Sequence, residues 1–247
     1  VAIVIFGYFY ASVGRETIMR VTATVFALFL SAPGFAFAQE WEEYVSRQDG
    51  FSINFPGKPR VNETMWTTQL GYRLPARVYS AERGQERYSV MVVDYSTLEQ
   101  QGIERWKACP PGNSQCRDGG PTIGPGYWKQ DERGALIYAA KKFLKPPYEM
   151  TDYAWDWQDM VEGHSLQLNS ADGRRALVYL AMHERKLYIL EGSVPEGQPE
   201  PGLFQQSLGW LDKDGNRIRY TETVYSNSYH GLGVYKRPAY RVSGGGQ

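Results

Sequence analysis

From Trp41 to Val194, runs of alternating apolar and polar residues recur with the period of two that sends successive side chains to opposite faces of a strand. Phe51, Ile53 and Phe55 alternate with Ser52 and Asn54. The Asp49-Gly50 pair before them is a hairpin signal, so Trp41–Ser46 is predicted to pair with this strand. Pro56-Gly57-Lys58-Pro59 ends it, because proline donates nothing to a ladder. Arg60–Gln69, Ala76–Glu82 and Arg87–Tyr95 are three further strands. The unbroken apolar run Val90–Val93 suits a central strand covered on both faces. Alternation resumes over Tyr148–Gln158, Gly163–Leu168, Arg175–His183 and Leu187–Val194, with turns at Ala171-Asp172-Gly173 and Glu184-Arg185-Lys186. Arg217–Tyr225 is predicted as a last strand.

Helical spacing interrupts this pattern. Ser96-Thr97-Leu98-Glu99 fits a capping box, and Ile103, Trp106 and Cys109 then recur on one predicted helix face. Residues 110–126 are rich in Pro, Gly, Ser and Asn and read as a surface loop. Ala135–Leu144 is predicted as a second helix stopped by Pro146-Pro147. Pro201 sits where a third begins, with Leu203, Phe204, Ser207, Leu208 and Leu211 on its inner face. Strands interrupted by helices, without strict alternation of the two, predict an α+β fold: a mostly antiparallel twisted sheet flanked by helices. The expected domain is single and spans 39–225, with an extended or disordered tail over 226–247.

Two stretches carry a family resemblance. Asp49–Pro56 (DGFSINFP) resembles the first strand of PsbP-like α/β/α sandwich proteins. Lys186–Leu190, leading through a Pro/Gly loop to Leu203–Leu208 (LFQQSL), is similar to the last long strand and following helix of that group. The chain as a whole also resembles a set of uncharacterised bacterial secreted proteins. The resemblance implies a non-catalytic binding or assembly module and offers no catalytic residues to transfer.

A leader changes the picture of where such a domain works. Met19-Arg20, the apolar run Val21–Leu30, and Ala36-Phe37-Ala38 have the order of a signal peptide: charged start, apolar core, small-residue cleavage site. Residues 1–38 are therefore read as an upstream extension plus signal peptide, giving a mature chain from Gln39 in the periplasm or outside the cell, with membrane contact only during export. In that oxidising setting Cys109 and Cys116, the only two cysteines, are expected to form a structural disulfide. The chain holds 27 basic and 27 acidic side chains, which provides no basic field for nucleic acid.

Candidate chemistry is sparse. The chain lacks G-x-S-x-G, S-x-x-K, H-E-x-x-H and a phosphate-binding G-x-x-x-x-G-K-[ST]. The turn Asp212–Asn216 lacks the spaced acceptors of a calcium loop, so no catalytic residue, metal or cofactor is assigned. His164 and His183 would provide a Glu/His base if the sheet brought them together with Glu162 or Glu184. The plainer reading of both is an exposed histidine at a strand end. Tyr153, Trp155 and Trp157 share one strand face, with Asp152 and Asp156 on the other, which separates acids from rings and counts against a glycosidase. Those rings, with His164, are the candidate ligand-binding residues; otherwise they cover a helix or fill the core. The tail tyrosines Tyr220, Tyr225, Tyr229, Tyr235 and Tyr240, interleaved with arginines and lysine, offer a further contact surface. Three functions follow: an exported non-catalytic module binding a protein or envelope component, a periplasmic hydrolase of envelope polymer using Glu162 and His164, and a carbohydrate or small-ligand binder using the aromatic strip.

Overall fold

Seven of the alternating segments join into one antiparallel sheet. The computed structural model describes residues 41–111 and 127–225 and the backbone of 240–242. Across the sheet the strands run β3 (Arg60–Thr67), β4 (Arg73–Arg83), β5 (Glu86–Asp94), β9 (Lys186–Val194), β8 (Arg175–His183), β7 (Val161–Ser170) and β6 (Tyr148–Gln158). The predicted hairpin is present as β1 (Trp41–Ser46) and β2 (Phe51–Pro56), and β10 (Gly209–Trp210) pairs with the other side of β2. A short pair joins β11 (Ile218–Tyr220) to β12 (Tyr240–Val242). The remainder of the tail and the leader lie outside the described residues.

Each face of the large sheet carries its own core. Register sets Val90 opposite Leu190 and Val92 opposite Tyr188 on one face, and Met91 opposite Ile189 and Val93 opposite Leu187 on the other. The Val90–Val93 run is thus central, as its continuous apolar character requires. After β5 the chain crosses the second face through α1 (Leu98–Lys107), α2 (Tyr127–Arg133), α3 (Ala135–Ala140) and a 3₁₀ turn at Lys141–Phe143, then re-enters at the far edge as β6. Leu136 and Ala139 of α3 are buried with Leu166, Val178, Leu180 and Ile189. On the first face, Phe51, Ile53, Phe55, Phe204 and Trp210 pack on Tyr79, Val90, Tyr179 and Leu190. The protein is a single α+β domain: the helices cover one face, and the β1-β2-β10 sheet with the short α4 (Gly202–Gln206) covers the other.

A buried charge cluster fastens the small sheet to the large one. Asp49, in the β1–β2 turn, is 1% exposed. Arg77 donates to its carboxylate from Nε at 2.7 Å and Nη2 at 2.5 Å, and the Tyr79 hydroxyl donates at 2.6 Å. Lys186 Nζ lies 3.6 Å away, and the Tyr188 hydroxyl donates to the Asp49 carbonyl at 2.5 Å. Burial pushes the Asp49 carboxyl up. The hydrogen bonds from Arg77 and Tyr79 and the charges of Arg77 and Lys186 outweigh it and hold the group below its ordinary value.

Several helix expectations need correction. No capping box forms: α1 starts at Leu98 without a side-chain cap, because Asp94 Oδ1 accepts the Ser96 N–H at 2.8 Å and ties that serine to the end of β5. The inner face of α1 holds Leu98 and Gly102, while Ile103 is exposed. Trp128 sits so close that a Cβ at position 102 would lie 3.1 Å from it, and Arg105 turns inward to donate to the Leu70 carbonyl at 2.9 Å. A helix over Tyr127–Arg133 was not expected from the pattern, and the Ala135–Leu144 helix tightens to 3₁₀ geometry after Ala140. α4 ends at Gln206 because Trp210 leaves to pair with β2, so Phe204 and Leu208 are buried and Leu203 is exposed. The strand expected over Arg217–Tyr225 covers only Ile218–Tyr220, and it is not the last, since β12 follows it.

Candidate functional site

The β6–β7 hairpin is the outermost pair of the large sheet, so β6 is an edge strand. Its two-residue turn, Asp159-Met160, has positive φ at both positions (48° and 68°), as a hairpin of this length requires. Met160 has no intrinsic preference for that conformation, and neighbouring groups over-determine it. The Trp210 indole N–H donates to the Gln158 carbonyl at 2.9 Å. The Val224 N–H donates to the Met160 carbonyl at 2.9 Å, and the Glu162 N–H to the Val224 carbonyl at 2.8 Å. Arg219 lies 3.3 Å from the Asp159 carboxylate. The hairpin end is therefore fixed from two sides.

On this frame Tyr153 stands opposite Leu166, Trp155 opposite His164, and Trp157 opposite Glu162. Directly opposed residues of an antiparallel pair project to the same face. The three rings thus share the helix-bearing face with His164 and Glu162. The buried helix residues pack over β7, β8 and β9, and β6 emerges from beneath that cover. Tyr153, Trp155 and Trp157 are 43%, 60% and 50% exposed. They neither fill the core nor lie under a helix, which corrects that alternative. Sequence reasoning placed them on one face, and the structure turns that face to solvent.

Beneath the rings lie two buried polar side chains. His164 is 7% exposed; its Nδ1 shares a hydrogen bond with the Tyr153 hydroxyl, and the Trp155 ring meets it edge-on at 5.0 Å. Its Nε2 has no hydrogen-bond partner among the described residues. Burial holds this imidazole below its ordinary value, hence neutral. Glu162 is 6% exposed, and burial raises its carboxyl. The expectation of an exposed strand-end histidine is wrong for His164, because Tyr153 and Trp155 fold over it. It is wrong for His183 as well.

His183 belongs to the opposite face. His164 stands opposite Leu180, whose side chain joins the helix-side core, and His183 lies three residues farther along β8. The two histidines therefore point away from each other, and no shared base forms. The His183 ring packs on Trp210 at 4.4 Å and its Nε2 bonds the Tyr220 hydroxyl at 2.6 Å. Burial, with the nearby Lys186 charge, depresses it to about 3. A cavity of about 620 Å³ opens beside it, bordered by Arg47, Lys186, Asp212 and Tyr220. Asp212 is engaged in its own turn, accepting the Asn216 and Asp214 N–H groups at 2.8 and 2.9 Å.

No protein-family model matches this chain, and no curated protein does. Among solved structures it is similar to the solution structure of cyanobacterial PsbP (CyanoP) from Synechocystis sp. PCC 6803, at 14% identity and a TM-score of 0.35, over 67% of this chain and 86% of that one. So loose an overlap says nothing about activity or partners.

The acids clustered around these rings carry a further signal, the lack of any basic residue among them. Tyr148–Ser170 contains Glu149, Asp152, Asp156, Asp159 and Glu162 but no lysine or arginine, in a chain whose basic and acidic residues balance. Asp159 is matched by Arg217 and Arg219. Asp152 is exposed at the strand surface, and among the described residues Asp156 bonds neighbouring groups of its own strand: the Trp157 N–H at 2.7 Å and the Gln158 amide at 3.2 Å. The outer hairpin thus carries aromatic area together with negative charge that no basic side chain among the described residues offsets at Asp152 and Asp156. Among the described residues no group of three or more His, Cys, Asp or Glu is placed to hold a metal, and no helix is long and apolar enough to cross a membrane. Cys109 follows α1, and Cys116, expected to pair with it, falls outside the described residues.

Proposed function

We propose that this protein is an exported, non-catalytic binding module, acting in the periplasm or outside the cell, whose contact surface is the Tyr153–Trp155–Trp157 strip with His164 beneath it. The observation that carries the reading is the exposure of three large rings in register on one face of a braced edge strand. Burying such a surface is worth about 25 cal/mol for each Å² of apolar area removed from water. Aromatic residues with a polar tip are also favoured anchors at binding surfaces. A disulfide between Cys109 and Cys116 belongs to the same proposal, since an oxidising compartment permits it.

The test is tryptophan fluorescence of the purified protein titrated with envelope-derived glycans and with peptides, repeated on Trp155→Ala/Trp157→Ala. Saturable quenching that the double variant loses, without loss of thermal stability, supports the strip. Ligand binding that survives the double substitution refutes it. Glu162 and His164 give the hydrolytic reading its one support, being a buried acid with a raised pKa two residues from a neutral imidazole. Release of soluble fragments from purified envelope polymer, abolished by Glu162→Gln, would favour that second reading.

A further inference from the structure

Among the described residues, no strand pairs with the outer side of β6, along which the aromatic strip runs. In an antiparallel pair, alternate residues bond the neighbouring strand. The residues between them point their N–H and C=O groups outward, where another extended chain can take them up. The pairing of β6 shifts register between Met150 and Asp152 and is regular from Asp152 to Gln158. That regular stretch is the one bearing the rings.

Charge identifies what fits there. Side chains of an added strand would alternate between the two sheet faces. On one face they would meet Trp155 and Trp157, with Glu162 beneath; on the other, Asp152 and Asp156. A cation gains on both faces, from the aromatic faces and from the carboxylates. An anion is repelled on both. The outer strand at the opposite end of the sheet, β3, carries one arginine and one glutamate and has no such bias.

A simpler account of the acids is that they protect the edge from pairing with another copy. It leaves the rings unexplained, since exposing three large aromatics on an edge invites association. A second copy of β6 would bring Asp152 and Asp156 against like charges and is disfavoured as the occupant.

We propose that β6 receives a basic, extended polypeptide segment as an added strand, with lysine or arginine side chains lying over Trp155 and Trp157 and beside Asp152 and Asp156. This rests on the aromatic strip being the contact surface and specifies its partner. As the segment pairs, its cationic side chain draws the Asp156 carboxylate off the Trp157 N–H, freeing that donor for the added strand.

Calorimetric and fluorescence titration with a blocked synthetic peptide of repeating Lys-Lys-Val-Val, which sets lysines on both faces of an added strand, tests the idea. Saturable binding is expected, weakened about tenfold by Trp155→Ala/Trp157→Ala, about tenfold by Asp152→Asn/Asp156→Asn, and further by added salt. The same peptide N-methylated at alternate residues should not bind, because it cannot donate to the edge. Equal binding of the N-methylated peptide, of a glutamate-valine peptide, or of the parent peptide to the aspartate variant would overturn the proposal. Displacement of the peptide by spermine at matched charge would also overturn it, showing recognition of cations without a strand. If a glycan quenches Trp155 and Trp157 while the peptide does not bind, the strip stands as the contact surface and the basic segment falls.

Discussion

Replacing Asp49 with asparagine should expose how much of the fold depends on one buried anion. The side chain is 1% exposed and accepts two bonds from Arg77 and one from Tyr79. Asparagine keeps the shape but turns one oxygen into an NH₂ donor. Tyr79 can adapt, because its hydroxyl also lies 2.9 Å from Ser46 Oγ. Arg77 cannot, having only donors to offer. Removing one member of a buried charge pair costs about 3–5 kcal/mol. Arg77 keeps 18% of its side-chain surface in contact with water and lies 3.9 Å from the exposed Glu63, so the lower end of that range applies. About 3 kcal/mol corresponds to a fall in Tm of roughly 6–12 °C for a domain of this size.

The same substitution fixes the sign of a pH effect. Asp49 titrates below its ordinary value of 3.8, so its contribution is complete above that value and is lost as pH falls through the depressed one. Thermal melts of the wild type and Asp49→Asn should differ fully at neutral pH and converge in acid. Adding Arg77→Met to Asp49→Asn should cost less than the two single changes summed, with a coupling of about 2 kcal/mol. A Tm for Asp49→Asn within about 2 °C of wild type at neutral pH, or two pH curves that run parallel into acid, would refute the reasoning.

Three other changes report on separate parts of the molecule. His183 titrates near 3 instead of 6.5, so its stabilising effect is complete above pH 6.5 and declines toward pH 3; His183→Phe should flatten the stability curve there by up to about 1.4 kcal/mol per pH unit, measured by denaturant melts. Gly163→Ala would press its Cβ against the Leu180 carbonyl oxygen and bring it within 2.5 Å of the Tyr179 ring, so a loss of about 2 kcal/mol is expected in urea unfolding, and an unchanged midpoint would contradict the packing. Reductant should lower stability by up to about 2.5 kcal/mol if Cys109 and Cys116 close their short ring, and matching melts with and without it would exclude the bond.

Strand positions were legible because alternation is a local property that directly reports two-sided burial. Val90–Val93 announced a central strand, and Asp49-Gly50 announced a turn. What Asp49 does beyond the turn was not legible, because Arg77, Tyr79 and Lys186 reach it only once three separate strands are stacked. Helix faces failed for a related reason: Gly102 faces inward because Trp128 fits against it, and no spacing rule ranks a glycine above Ile103. The rings of β6 were correctly assigned to one face. Alternation cannot say where the covering helices stop, so their exposure needed the fold. The absence of lysine and arginine from Tyr148 to Ser170 would have singled out this hairpin without it.

Two sets of buried polar groups differ in how they are partnered. Asp49 is met by Arg77, Lys186 and two hydroxyl-bearing tyrosines, and His183 by Tyr220 and Trp210. Those groups have partners, and their energetics bear on stability. Glu162 and His164 are buried to a similar degree, yet burial is the only influence raising the Glu162 carboxyl and His164 Nε2 lacks a partner among the described residues. A buried polar atom without a partner costs about 1–3 kcal/mol, and local rules are broken in this way mainly at functional sites. Here His164 Nε2 lies on β7 directly under the exposed rings of the edge strand β6, which also carries Asp152 and Asp156. Partner chemistry that is cationic and able to hydrogen-bond along a strand offsets the charge and edge costs at once, and neither a neutral glycan nor a second copy of the chain does both.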